Sequence, residues 1–372
     1  MPFIDNDAEA RQYRALRTIT RAISRVRDLH TLVTLLAAET SRVLGVERST
    51  VFLYSPRSDE LWSYVAEGET EEIRFNAGQG IAGSVFRSRK TLVLDDVSKD
   101  ERFNRDIDMN TGFVTRNMIT APVMNPSGEC IGVFQVINKK NGGFSPGDAE
   151  FLEVVATDTA VTIENVRLLE SRKRMFESLI KALTVSIEAR DPLTAGHSFD
   201  VTFLSGKIAE YMGVDDDTAE AIYYAALLHD YGKLAVPDSI LKKPGTLTEE
   251  ETSILRKHVQ HTRIMLSSIE FEGMLEQVPV FASQHHERID GGGYPEGLKG
   301  DEISLGGRII AVADVFEALT AKRHYRDPYT LAKTINLLLE GVDTQFDRGA
   351  VMALRQYFID IGKVRPEEVP VE

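Results

Sequence analysis

Between Gly147 and Pro192 the chain contains neither glycine nor proline. Those are the two residues that most readily break a helix. Apolar side chains recur through the interval: Phe151, Val154, Val155, Val161, Ile163, Val166 and Leu169, then Phe176, Leu179, Ile180, Leu183 and Ile187. One continuous helix of about 40 residues would be about 60 Å long at 1.5 Å per residue. So long and so apolar a helix needs a partner, and a parallel coiled coil with a second copy of the chain supplies one. The charged run Glu170-Ser171-Arg172-Lys173-Arg174 interrupts the apolar seam at mid-length. Two consecutive helices packed within one subunit are the alternative that the pattern leaves open. Either way the interval divides the 372 residues into three parts: 1–150, a helical connector at 151–190, and 191–372. The outer parts are each long enough for a core of their own.

The first part opens with apolar positions at helical spacing from about Asp7 to Leu44: Leu16, Ile19, Ile23 and Val26, then Leu32, Leu35, Leu36 and Val43. Asp28 stands at the break and is placed to cap the second of two helices. Short strands follow, at Ser49–Tyr54, Leu61–Ala66, Glu72–Asn76, Thr91–Asp95, Met118–Met124 and Cys130–Asn138. Turn material such as Asn125-Pro126-Ser127-Gly128 and Asn141-Gly142-Gly143 separates them. An antiparallel sheet flanked by helices, an α+β domain, is expected.

Charge and cysteine content narrow the function classes. The formal net charge of -14 argues against duplex DNA or an anionic membrane as a partner. It leaves room for a small anion, because a local cationic pocket outweighs a distant negative field. The single cysteine, Cys130, rules out an internal disulfide framework and fits a reducing compartment. The start, MPFIDNDAEARQYR, has no apolar signal core, and no apolar run of about 18 residues occurs. A cytoplasmic protein is expected.

Several stretches of the first part resemble a GAF sensory domain: Gly78-Gln79-Gly80-Ile81-Ala82-Gly83-Ser84-Val85, then Asp95-Asp96-Val97, and the ending Gly132-Val133 through Asn138-Lys139. Asn138 and Lys139, with Phe144 and Asp148 at the family's spacing, further resemble the NKFDE motif of cyclic-nucleotide-binding GAF domains. The final acidic residue of that motif is replaced by Ala149, with Glu150 displaced by one. In that family the motif's Lys and Asp pair structurally. The resemblance therefore implies a small-molecule pocket, with a cyclic nucleotide as one candidate ligand, without placing the ligand on these four residues.

The last part reads as all-helical with long loops, and its histidines carry the chemistry. His229-Asp230 follows the apolar run Ile222, Tyr223, Ala225, Ala226 and Leu228, where a buried helix ends. Burying an imidazole and a carboxylate costs several kcal/mol unless each has a partner. His197, His258 and the adjacent pair His285-His286 add imidazoles, and Asp314 adds a carboxylate within the apolar stretch Arg308–Val315. Glu287 and Asp290 follow the histidine pair and are candidates to orient its rings. Seven such groups are too many for one ion, so two metals bridged by a carboxylate is the economical count. Nitrogen and oxygen donors without thiolate favour iron, manganese or zinc in a non-structural role.

His229-Asp230-Tyr231-Gly232-Lys233 and the run from His285-His286-Glu287 through Gly291-Gly292-Gly293-Tyr294-Pro295 resemble an HD-GYP domain. Thr194-Ala195-Gly196-His197-Ser198, Lys257-His258, Asp314 and Arg323-His324-Tyr325-Arg326 complete the pattern, which spans Asp191 to about Asp327. HD-GYP domains are bacterial phosphodiesterases that open cyclic di-GMP, and the resemblance implies that activity here. By the family's arrangement, His197, His229, Asp230 and Asp314 hold one metal, and Asp230 bridges to a second held by His258, His285 and His286. Some members place a glutamate four residues before the first His and recruit a third metal; Leu193 stands there, which implies two. Asp200 replaces a frequent Arg and His324 a frequent Pro, and neither change removes a ligand.

The expected architecture is therefore multi-domain: an α+β GAF domain joined by a long helix to an all-α HD-GYP domain. Lys233 is placed to stabilise charge on the phosphoryl group or assist the leaving oxygen. Arg323 and Arg326, three apart, are candidates to hold the second phosphate and a guanine edge. Gly293 lets backbone approach a ligand, and Tyr294 is a candidate to stack on a base or to pack the loop. His261 shares a helix face with His258 but lies outside the pattern, and His30 has no assigned role. The expected function is hydrolysis of cyclic di-GMP to pGpG, and onward to GMP in a further step, under control of the GAF domain in a homodimer. The alternatives are a module that binds cyclic di-GMP without useful turnover, and a phosphodiesterase for another cyclic dinucleotide such as cyclic GMP-AMP.

Overall fold

The computed structural model describes residues 29–66, 72–105, 108–109, 112–190, 196–322 and 327–370. Internal contacts divide the chain between Lys173 and Arg174 into two compact units. Asp28 and the first of the two expected N-terminal helices lie outside the described residues.

In the first unit, helix α1 (Leu29–Leu44) leads into β1 (Val46–Ser55), β2 (Glu60–Ala66) and β3 (Arg74–Asn76). Helix α2 (Gly80–Ser88), β4 (Leu92–Leu94), β5 (Met118–Met124) and β6 (Cys130–Lys139) follow. The six strands form one antiparallel sheet in the order β3-β2-β1-β6-β5-β4. All six expected strands occur. The first starts earlier than expected because Val46 pairs with Lys139 and extends the central β1–β6 ladder. Alternation along β1 sends Val51 and Leu53 to one face, where they meet Val33 and Leu36 of α1 and Phe151, Leu152 and Val155. Phe52 and Val133 face the other way, onto Ala82 and Val85 of α2. Both faces are covered, so the sheet is α+β as expected.

Helix α3 runs unbroken over Pro146–Glu188, 43 residues. The Oγ of Ser145 accepts the Asp148 amide (3.2 Å), and proline occupies the first helical position, where its missing N–H costs nothing. The alternative of two consecutive helices is thereby removed. Its first half contributes Phe151 to Ile163 to the core of the first unit. Its second half contributes Ile180, Phe176 and Leu183 to the core of the second.

The second unit is helical: α4 (His197–Tyr211), α5 (Asp216–Leu228), the short α6 (Asp238–Leu241), α7 (Glu249–Arg256), α8 (His258–Leu266), α9 (Val278–Ser283), α10 (Leu305–Thr320), α11 (Leu331–Glu340) and α12 (Arg348–Asp360). Its core centres on Ile208, Tyr224 and Phe316, contributed by α4, α5 and α10, all nearly inaccessible to solvent. Among the described residues no helix is long and apolar enough to cross a membrane.

Candidate metal centre

Three helix termini in the second unit deliver an imidazole each. His229 follows the last residue of α5, His258 opens α8, and His285 lies just beyond α9. Every one of these rings turns its Nδ1 to the carbonyl three residues back: Ala226 (2.7 Å), Leu255 (2.8 Å) and Ala282 (2.7 Å). A carbonyl only accepts, so each Nδ1 carries the proton and each Nε2 keeps its lone pair. All three Nε2 atoms are buried without a hydrogen-bond partner among the described residues. Leaving a buried polar atom unpaired costs about 1–3 kcal/mol. Three such atoms in one cluster, all lone-pair donors, are what a metal ion satisfies and a hydrogen bond from the protein does not.

Carboxylates complete the set. One oxygen of Asp230 lies 3.4 Å from Nε2 of His229 and 4.0 Å from Nε2 of His197, and the other lies 3.4 Å from Nε2 of His258. The two oxygens therefore face two different groups of imidazoles, the geometry of a bridge. His197, the first residue of α4, sits with Nε2 3.2 Å from Asp314 of α10. Three sets of donor atoms lie within 4.8 Å of one another: His258, His285 and His286; His197, His229 and Asp314; and His229, Asp230 and His285. The structure thus gathers all seven sequence-selected groups, and the third set joins His229 and His285, expected at different centres, through Asp230. The nitrogen–oxygen donor set, without sulfur, suits divalent iron, manganese or zinc.

Electrostatics point the same way for His258, His285, His286 and Asp230. Burial pushes the imidazoles of His258 and His285 below their ordinary range and that of His286 down to about 4, so all three are neutral donors near pH 7. Burial opposes ionisation of Asp230, but the Lys233 ammonium and the neighbouring imidazoles outweigh it and hold the carboxyl well below the usual range. Burial also works against protonating His197, yet hydrogen bonds to Asp314 and Glu317 drive its imidazole up to about 10.

Glu317 was not selected from the sequence. Its buried carboxylate accepts a hydrogen bond from Nδ1 of His197 and fixes that ring with Nε2 towards Asp314. Such a carboxylate–histidine pair orients a ligand and raises its basicity. The available signal was spacing: Glu317 follows Asp314 by three residues on α10 and so shares its face. Glu287 and Asp290, expected to orient the histidine rings, do not. Glu287 accepts the amides of Glu296 (2.7 Å) and Leu298 (3.1 Å), tying down the glycine-rich loop. Asp290 pairs with Arg288 (2.8 Å) and caps the Gly292 amide (2.7 Å). For His285 the Ala282 carbonyl takes the orienting role instead.

The remaining candidates divide. Lys233 stands on a 3-10 turn, Tyr231–Ala235, rather than on a continued helix, and its Nζ lies 2.6 Å from Asp230. The Tyr294 ring lies 4.8 Å from that of His286, with the Arg256 guanidinium 5.0 Å from its centroid. It packs the loop against the cluster. A side chain at Gly293 would meet the Glu287 and Arg288 backbone within 2.6 Å, so close loop packing already requires that glycine. Arg323, Arg326, His324 and Leu193 lie outside the described residues. Asp200 is exposed. His261 belongs to none of the three donor sets, and His30 lies 5.8 Å from Tyr64, ring to ring.

In the first unit, the motif residues hold the fold together. Asn138 adopts a left-handed backbone (φ 57°), and its buried amide bonds Glu47 (2.8 Å), Val114 O (2.8 Å) and the Arg116 amide (2.7 Å). Lys139 pairs with Asp148, and its ammonium lies 5.7 Å from the Phe144 centroid. None of the four lines the cleft that opens beside the sheet, whose walls include Arg48, Phe75, Phe113, Thr115 and Gln135.

Comparison with known proteins agrees with both units. Residues 28–163 match the GAF domain family, and residues 177–349 match a family described as HD domain. A 3'3'-cGAMP-specific phosphodiesterase 2 of Vibrio cholerae is 35% identical over 218 residues, 59% of this chain and 42% of that protein. The cyclic di-GMP phosphodiesterase response regulator RpfG of Xanthomonas campestris is 37% identical over 198 residues, 52% of each chain. A cyclic di-GMP phosphodiesterase of Thermotoga maritima is 43% identical over 157 residues, 42% of each. The chain thus spans about half the length of these relatives. With the sheet and the helical donor cluster already described, these matches make the chain a GAF domain followed by an HD domain.

Proposed function

We propose that the second unit is a two-metal phosphodiesterase acting on cyclic di-GMP. The observation that carries this reading is the set of three buried Nε2 lone pairs, unpartnered among the described residues, with Asp230 against those of His229 and His258. His197, His229, Asp230 and Asp314 would hold one ion, and Asp230, His258, His285 and His286 the other. Two such ions would supply Lewis acidity to a phosphate and lower the pKa of water. Lys233, held against Asp230, offers a proton to the departing ribose oxygen. Iron or manganese is the preferred metal, and pGpG the preferred product. Relatives named for cyclic di-GMP and for 3'3'-cGAMP are of similar identity, which makes cyclic GMP-AMP the second reading for the substrate.

The same reading extends to the assembly. Val154, Val161, Leu168 and Met175 recur at seven-residue intervals along α3, and each is more than a third exposed. A parallel homodimer would cover that seam. The cleft beside the sheet supports a small-molecule ligand for the GAF domain, whose binding would act on the metal centre through α3. The protein would work in the cytoplasm.

Anaerobic incubation of metal-analysed protein with each cyclic dinucleotide, followed by chromatography, tests the reading. Metal-dependent opening of cyclic di-GMP supports it, and preference for cyclic GMP-AMP moves it to the second substrate. No turnover of either with two ions bound refutes it in favour of a binding module.

A further inference from the structure

The last turns of α3 make buried polar ties to two of the segments that carry the metal centre, the end of α5 and the start of α4. The Thr184 hydroxyl donates to Leu227 O (3.1 Å), two residues before His229. Glu188, one turn further and on the same face, is buried, and its two oxygens accept the amides of Gly196 (2.8 Å) and Ser198 (2.9 Å). Those amides flank His197. The residue preceding α4 is Gly196, whose lack of a side chain leaves the helix without a cap of its own. Glu188 supplies that cap from another helix, and its charge suits the positive end of α4. Just beyond α3, the Arg190 guanidinium donates to Lys233 O (3.2 Å), Leu234 O (2.5 Å) and Val236 O (2.8 Å) and pairs with Asp238 (2.7 Å). It thereby fixes the turn on which Lys233 stands.

We propose that Glu188, seconded by Thr184 and Arg190, is a positioning residue through which the end of α3 sets the place of His197, and hence the affinity of one of the two metal sites. The inference rests on the two-metal reading above and adds to it a route into the site. A shift of the last turn of α3 relative to α4 moves His197 first. His258, His285 and His286, which hang on α8 and the end of α9, have no tie to Glu188 among the described hydrogen bonds. The two metal sites should therefore respond unequally.

The test is stepwise titration of the full-length, metal-free protein with Mn²⁺ against a chelating indicator, for wild type, Glu188→Gln and Glu188→Asp. Glutamine loses one acceptor and turns an N–H donor towards an amide. Aspartate keeps both oxygens but withdraws them by one methylene. His197→Ala identifies which step belongs to the His197 site. Selective weakening of that step by about tenfold, with the other step at its wild-type value, is the expected result. Circular dichroism of the metal-free variants should match the wild type. Two unchanged steps overturn the proposal, and so does equal weakening of both, because that is what general loss of stability gives. Wild-type protein binding fewer than two ions overturns instead the two-metal reading on which the proposal stands.

Discussion

Gly232→Ala is a one-carbon perturbation whose consequence follows from three distances. A Cβ at that position would lie 1.9 Å from His258 O, 2.4 Å from Thr262 N and 2.8 Å from Thr262 Oγ1. Real Cβ atoms essentially never approach within 3.0 Å, so the Tyr231–Ala235 turn and α8 must part by more than 1 Å. Helix α8 starts at His258, and that movement carries the ring away from Asp230, now 3.4 Å from it. Metal sites tolerate ligand displacements of about 0.2 Å. The same movement breaks the bond from the Gly232 amide to Thr262 Oγ1 (2.8 Å) and the one from that hydroxyl to His229 O (3.0 Å). Overpacking of this kind costs about 1–3 kcal/mol. For a unit of about 200 residues that is a fall in Tm of about 2–12 °C. Thermal unfolding by circular dichroism and metal analysis after dialysis read both effects. The variant should melt lower and retain about one ion where the wild type retains two. Gly206→Ala is the control: it lies inside α4 with nothing within 4 Å of the added carbon, and should stabilise by about 0.5–1 kcal/mol. A Gly232→Ala protein with wild-type Tm and metal content would refute the reasoning.

Further outcomes follow from the same geometry. Glu317→Gln removes the charge that orients His197, and metal affinity at that site should fall about 10- to 100-fold by equilibrium dialysis; an unchanged value would remove Glu317 from the centre. Lys233→Ala should lower turnover about 10²- to 10⁴-fold while both ions stay bound, and loss of metal instead would give Lys233 a structural role. The metal-free protein should lose stability as pH falls from about 6.5 towards 4. In the fold, burial holds His258, His285 and His286 below their ordinary range, His286 at about 4, so the unfolded chain takes up protons that the folded one refuses. His197, raised to about 10, has the opposite sign: its contribution is complete below about 6.5 and is lost as pH rises through 10. Urea unfolding at pH 7 and pH 5 would expose the difference, three groups against one, and equal stability at both would contradict it.

The helical connector and the six strands were legible because each depends on local signals, breakers in one case and alternation in the other. His229-Asp230, His285-His286 and Asp314 were legible because imidazoles and carboxylates stranded beside apolar runs need partners, whereas His197 and His258 rested on the family resemblance. What orients the donors was not. Adjacency in the chain pointed to Glu287 and Asp290, but they sit in a loop whose direction only the fold determines, and they turn to backbone amides there. Glu317 lies far in sequence from His197, and only the packing of α10 against α4 brings them together. In the sequence Glu188 is one charge among many on a long helix. Its role depends on where α4 begins, and spacing alone does not carry that. Asn138 was legible as part of a motif, yet its work is to hold a left-handed turn at the end of β6 against Glu47 and Val114.

The central claim is that Asp230 bridges two ions. Electron paramagnetic resonance of the metal-free protein loaded stepwise with Mn²⁺ tests it directly, because ions about 4 Å apart that share a carboxylate couple magnetically. The account predicts a single-ion signal at one equivalent and a coupled spectrum at two, lost in Asp230→Asn. Independent single-ion signals at two equivalents, or saturation at one, would contradict it.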